Sequence, residues 1–167
     1  MSTQPRWLTP HEQQVWRLFL DATNMLREHM DRELQRDSAM PQTYYQVLVN
    51  LSEAAQRTMR MSELAAACRS SRSKLSHAVA RMEASGWIVR SGCPTDKRGS
   101  FAHLTDTGLA AIEVAAPGHV QVVREQFFDV LDEQQVRALG EICAAIKAGL
   151  APRCSQVAAA EDTTESG

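Results

Sequence analysis

Apolar positions return every three or four residues from Val15 through Phe19, Ala22, Leu26 and Met30 to Leu34, with Trp16, Leu18 and Met25 widening the stripe. That period predicts one long amphipathic helix. Thr9 is placed to cap it, with Pro10 and Glu12 in the first turn, and the pattern extends to Arg36 before Asp37-Ser38-Ala39-Met40-Pro41 breaks it. A helix of this length, apolar over more than one face, is expected to find a partner beyond its own domain. Gln42 to Ala55 reads as a second helix, with Tyr45, Leu48, Val49 and Ser52 on one face and Tyr44, Val47 and Leu51 on another, so it should be buried on most sides. Gln56 to Arg60 reads as a short connection with one bridge of strand at Met59.

The next stretch alternates short helices with strands. Ser62 is expected to cap a third helix, Glu63 to Cys68, followed by the turn Arg69-Ser70-Ser71. Ser70 or Ser71 then caps a fourth helix that runs to about Ser85, where Gly86 supplies a left-handed stop. Leu75, Ala78, Val79 and Met82 form its apolar face; Ser73, Ser76, His77, Ala80 and Arg81 face the other way, with Arg72 and Lys74 flanking the first turn. Two short helices around a tight turn make a helix-turn-helix, whose second helix has the size and donors to enter a major groove. After Gly86 the period changes to two: Trp87–Arg90 and Ser100–Leu104 read as antiparallel strands around a cationic loop, Gly92 to Gly99, which is a β-wing.

Thr105 is positioned to cap a fifth helix through Ala116, with Pro117-Gly118 bending or interrupting it before the pattern resumes at Val120, Val123, Phe127, Phe128 and Leu131. Asp132 caps a last helix, Glu133 to Leu150, with Val136, Leu139, Ile142, Cys143 and Ile146 on its apolar side. The fold class is therefore mainly α with a small β-wing (α+β). Residues 1–8 are expected to be flexible and 152–167 disordered, because neither has a core-forming pattern.

Charge changes the picture more than composition does. From Arg60 to Thr105 there are eight Lys or Arg against three Asp or Glu, a balance of +5 in a chain whose net charge is −2. A basic island in an acidic protein suggests one surface built for a polyanion. The 167 residues, 44% hydrophobic, suffice for one core-forming domain. The N-terminus lacks the apolar core of a signal peptide and no apolar run is long enough for a bilayer, so a cytoplasmic location without membrane partners is expected. Cys68, Cys93, Cys143 and Cys154 show no CxxC spacing, and the five histidines no ligand spacing, so neither metal nor cofactor is expected.

The run Asp96-Lys97-Arg98-Gly99-Ser100-Phe101-Ala102-His103-Leu104-Thr105 follows the pattern DxRxxx(V/L)xLT, with Ala102 where Val or Leu is usual. This run resembles the wing signature of the MarR family of bacterial winged-helix transcriptional regulators. MSELAAACRSSRSKLSHAVARMEASGWIVR is similar to that family's helix-turn-helix and first wing strand, and Thr105-Asp106-Thr107-Gly108 to the opening of its next helix. The resemblance implies an obligate homodimer, a recognition helix (residues 71–85) in each major groove and a wing (91–100) whose arginine, here Arg98, enters the adjacent minor groove. It further implies dimerisation through residues 9–36 and 106–151, with 37–105 as the winged module, and a repressor acting at a pseudo-palindromic operator on double-stranded DNA.

The expected DNA-binding residues are Ser70, Ser71, Arg72, Ser73, Lys74, Ser76, His77, Arg81, Lys97 and Arg98. Serines at a helix start can cap it and bind phosphate at once, since both roles use the same helix end. Asp96 is expected to orient Arg98 through a charge-assisted pair, because a carboxylate facing phosphate would be repelled. Solvated surface side chains are the plainer reading of Arg72, His77 and Arg81. Trp16, His29, Tyr44 and Tyr45 could line a pocket for a small aromatic effector of the kind the family binds, although ordinary core and interface packing accounts for them as well. Cys93, near Arg90, Lys97 and Arg98, is the one redox candidate, whereas Cys68 and Cys143 look like small core residues. No nucleophile–base pair or phosphate loop appears, which argues against an enzyme. A protein-interaction module that has kept the fold and lost DNA binding is the alternative, and the charge segregation speaks against it.

Overall fold

In the computed structural model the described residues are 5–150 apart from 94 and 95, and for residue 93 and residues 96–98 the description is of backbone alone. The expectations for the segments 1–4 and 151–167 lie outside it. The order of elements is α1 (Pro10–Ser38), α2 (Gln42–Glu53), β1 (Thr58–Arg60), α3 (Met61–Ala67), α4 (Arg72–Ala84), β2 (Ile88–Cys93), β3 (Asp96–Leu104), α5 (Asp106–Val123) and α6 (Glu133–Leu150). Among the described residues no helix is long and apolar enough to cross a membrane. Two compact units are separated between Phe127 and Phe128.

In the first unit α1 starts at a capping box: the Thr9 hydroxyl accepts from the Glu12 N–H and the Glu12 carboxylate accepts from the Thr9 N–H (2.7 Å). These bonds hold the Glu12 carboxyl below its ordinary range. The helix runs through Asp37 and Ser38, past the expected break, because the Ser38 hydroxyl bonds back to the Leu34 carbonyl and Ala39 supplies the left-handed stop (φ 52°). Pro41, at the N-cap of α2, offers no side-chain acceptor; the Asp31 carboxylate of α1 accepts from the Gln42 N–H instead (2.8 Å). The first helix thus caps the second.

One core runs through the unit. Leu48 and Leu51 of α2, Leu64 of α3, Leu75, Val79 and Met82 of α4 and Ile88 of β2 are fully buried, and Ile112 and Ala115 of α5 join them. Burial of a side chain of this size stabilises by about 1.5–3 kcal/mol, against about 1 kcal/mol for a cap. Packing therefore sets where α4 lies and Ser71 only where it begins.

The three strands form an antiparallel sheet in the order β1-β3-β2. The expected bridge at Met59 is a full short strand, with Met59 opposite Ala102. Both wing strands extend into what was expected to be loop, with a register shift between Gly92 and Cys93. Ala102 is fully enclosed between Met59 and Arg90 on its two neighbouring strands. On the other face His103 spans all three strands: its Nδ1 lies 2.9 Å from the Thr58 hydroxyl and its Nε2 2.7 Å from the Ser91 hydroxyl.

Ser62 does not cap α3. Strand β1 leads straight into the helix, so Arg60 is both the last strand residue and the N-cap, without a side-chain bond. Nor does Pro117 interrupt α5, which is continuous from Asp106 to Val123 and closes in a π-helical turn over Arg124–Phe128. In the second unit Asp132 caps α6 through the Gln135 N–H (2.8 Å), and the Gln135 side chain accepts from the Asp132 N–H. Cys143 is exposed rather than core, because its helix face is left open within that unit.

Candidate nucleic-acid interface

The turn between α3 and α4 is closed by a Schellman pair: the Ser70 N–H reaches the Ala65 carbonyl and the Arg69 N–H that of Ala66. Arg69 occupies the left-handed position (φ 46°) that glycine usually takes. Ser71 follows as the N-cap of α4, its hydroxyl accepting from the Lys74 N–H. Of the two serines proposed for that cap, Ser71 is the one. At the far end the same motif recurs with Gly86 at φ +73° and the Trp87 N–H on the Met82 carbonyl, turning the chain into β2. The helix is thus fixed at its start by a side-chain cap and at its end by backbone bonds.

With Leu75, Ala78, Val79 and Met82 buried, the opposite face of α4 is in solvent. Arg72, Ser73, Lys74, Ser76, His77 and Arg81 are all exposed there, and Ser71 beside them. Ser70 is half-buried in the turn. Among the described residues none of the side chains of Arg72, Lys74, His77 and Arg81 has an ion-pair partner. Lys97, Arg98 and Asp96 lie on β3, but their side chains, and that of Cys93, are outside the described residues.

Two further arginines of the basic island, Arg60 and Arg90, lie beside this face. The Arg60 guanidinium lies over the Phe101 ring, 5.4 Å from its centre. Arg90 on β2 is held by Glu83 of α4, whose carboxylate meets its guanidinium at 2.6 Å and its backbone N–H at 3.1 Å. This ties the wing to α4. Both arginines line one cleft with Ser62, Arg72, Ser76 and Ser100, so α4 and the wing strands open on the same side. Charge alone could have nominated Arg60 and Arg90; their position depends on the three-strand register.

Thr105 joins the winged part to α5. Its hydroxyl donates to the Gly86 carbonyl (2.7 Å), has the Trp87 carbonyl at 3.0 Å, and accepts from the Gly108 N–H (3.0 Å). Arg57 pairs with Asp106 in the first turn of α5 (2.9 Å).

The four residues expected to line an effector pocket do not share one cavity. Trp16 is half-exposed and stacks on Phe19. Tyr44 packs against the core from the side. His29 lines a separate depression with Met25, Arg32 and Gln126. Tyr45 alone borders the larger cavity, which lies between α1, α2 and α5 and also takes in Arg27, Gln42, Cys68 and His119. There the Tyr45 and His119 rings are 4.5 Å apart. Gln42 Oε1 and His119 Nδ1 are buried without a partner among the described residues. Burial pushes the Tyr45 hydroxyl and the Cys68 thiol up and the His119 imidazole down from their ordinary pKa values. His119 was not singled out from the sequence, since no local motif marks it.

Comparison with known proteins gives a consistent result. Residues 40–99 match the family model described as MarR family. No curated protein sequence matches the chain. Among solved structures, Sco3205 from Streptomyces coelicolor, a MarR family transcriptional regulator solved in complex with DNA, is 50% identical over 91% of this chain and 96% of its own, with a TM-score of 0.85. AbsC, a MarR family transcriptional regulator from the same organism, is 39% identical over 87% of this chain and 98% of its own, with a TM-score of 0.81. BpsR of Bordetella bronchiseptica, at 19% identity and a TM-score of 0.71 over 80% of this chain and 98% of its own, shares the fold. Identity of this extent over nearly the whole of two such regulators shows that the chain belongs to the MarR family of transcriptional regulators and is not an enzyme.

Proposed function

We propose that the chain is a homodimeric, sequence-specific DNA-binding regulator, a repressor that occupies a pseudo-palindromic operator with helix 71–85 in the major groove and wing 91–100 in the minor groove. The observation that carries this is the shared cleft: Arg72 and Ser76 of α4 line it together with Arg90, Gly99 and Ser100 of the wing. Helix and wing can therefore meet one duplex. The DNA complex of a relative with half its residues identical supports the same reading.

Residues 9–36 and 106–151 serve dimerisation in this reading, and 37–105 form the DNA-reading module. Apolar residues left open in each unit support this: Val15, Trp16, Leu18 and Phe19 of α1 are exposed in the first, and Ile142 and Ile146 of α6 in the second. Arg98 enters the minor groove, oriented by Asp96. A small aromatic effector takes the cavity beside Tyr45 and His119, where apolar ring faces and unpartnered polar atoms lie together. It releases the operator by favouring a state whose module spacing no longer fits the duplex.

The test is a mobility shift with duplexes selected from a random pool by the full-length protein. Arg72→Ala and Arg98→Ala should each weaken binding by roughly tenfold, the scale of one charge-assisted hydrogen bond. Unchanged affinity in both variants would refute the assigned DNA face.

A further inference from the structure

We infer that the cleft between α4 and the wing is a seat for a single backbone phosphate of the bound duplex, gripped by Arg60 and Arg72 and completed by the hydroxyls of Ser76 and Ser100. This rests on the DNA-binding reading above and adds to it the group that is bound and the side chains that bind it. Three arginines from three different elements line this concavity: Arg60 from the end of β1, Arg72 from the first turn of α4 and Arg90 from β2. Among the described residues that line it there is no carboxylate. Guanidinium forks and hydroxyl donors around a concave site suit the oxygens of a phosphate.

The roles within the cleft differ. Arg90 is already bound by Glu83, so it acts as a fixed wall that sets the distance between helix and wing. Arg60 is oriented by the Phe101 ring beneath it. Arg72, exposed and without an ion-pair partner among the described residues, is free to swing onto the anion.

Duplex geometry says which phosphate this is. A helix in the major groove and a wing in the adjacent minor groove straddle the sugar–phosphate strand that divides the two grooves. That strand must pass through the gap between helix and wing, where the cleft lies. A free phosphate ion or nucleotide would present the same chemistry, but neither would need the wing and helix to face one way.

The experiment replaces the phosphates of a selected duplex one at a time by neutral methylphosphonates and measures the affinity of the full-length protein and of Arg60→Gln and Arg72→Gln. In the wild type one position in each half-site should weaken binding by roughly tenfold, and the penalty at that same position should shrink in both variants. Each variant should lose affinity equally for selected and scrambled duplexes, with a salt slope shallower by about 1. Should Arg60→Gln melt early, Arg60→Lys keeps the stacked cation but loses the fork, and the same position should then respond less than in wild type.

A penalty that shrinks at different positions in the two variants, or a loss confined to the selected sequence, would overturn the seat while leaving DNA binding intact. Absence of any duplex binding by the wild type would overturn both readings together. In a parallel calorimetric titration inorganic phosphate should show no saturable binding below millimolar concentration. Micromolar binding that Arg72→Gln abolishes would assign the cleft to a free anion and overturn the duplex source.

Discussion

A Cβ on Gly108 would lie 2.2 Å from the carbonyl oxygen of Trp87 and 2.7 Å from Leu104 Cδ1. The glycine is there because the first turn of α5 is pressed against the chain leaving α4, where the Thr105 hydroxyl binds it. The motif Thr105-Asp106-Thr107-Gly108 could be read from the sequence as a cap, but the close approach that demands glycine could not, since its partner is 21 positions earlier. Arg69 shows the opposite case. The sequence places a turn at Arg69-Ser70-Ser71, but no glycine announces its left-handed backbone, which only the φ of Arg69 and the bonds of Ser70 and Arg69 to the end of α3 reveal. His119 also became visible only in the fold, buried against Tyr45 with one ring nitrogen unpartnered. Burial holds its pKa below the ordinary value of 6.5, so on acidification the unfolded chain takes up this proton first. Its contribution to stability is whole above about pH 6.5 and is lost as the pH falls from there towards the folded-state pKa. Urea unfolding of wild type and His119→Gln at about pH 7 and about pH 5.5 should show a larger drop in midpoint for the wild type. Equal drops would mean that this imidazole stays solvated in the native state.

Among the elements, those with a regular apolar period were legible: α1, α4 and α6 begin within a residue of where caps and stripes put them. The strands were less so, because Gly92 and the residues around it carry turn chemistry, yet β2 and β3 continue by pairing with each other. Helix α5 defied the local signal. Pro117 lacks the N–H that a helix interior uses, a cost of about 3 kcal/mol relative to alanine. The helix survives because Ile112 and Ala115 before it and Val122 after it are buried against the rest of the unit. Pro117→Ala should therefore raise the unfolding free energy, by up to about 3 kcal/mol, as read by chemical denaturation. A lower stability would show that the ring itself fills a needed space. The Glu83–Arg90 bond belongs to this scale too. As a partly exposed ion pair it adds at most about 1 kcal/mol to stability, so its worth lies in aligning helix with wing.

At the scale of the whole molecule, the charge segregation visible in the sequence became a surface: the cationic face of α4 and the wing strands open on one side. What the chain pattern could not supply was the partner for its apolar faces, because one copy leaves Trp16 about half exposed and Ile142 likewise (52% and 55%). A second copy covering them would set two winged modules about one helical turn (~34 Å) apart. Hydroxyl-radical footprinting of the full-length protein on a selected duplex tests this most directly. The account predicts two protected segments related by a twofold axis, their centres about 10 base pairs apart or a whole multiple of that. A single protected segment, or protection without twofold symmetry, would contradict it.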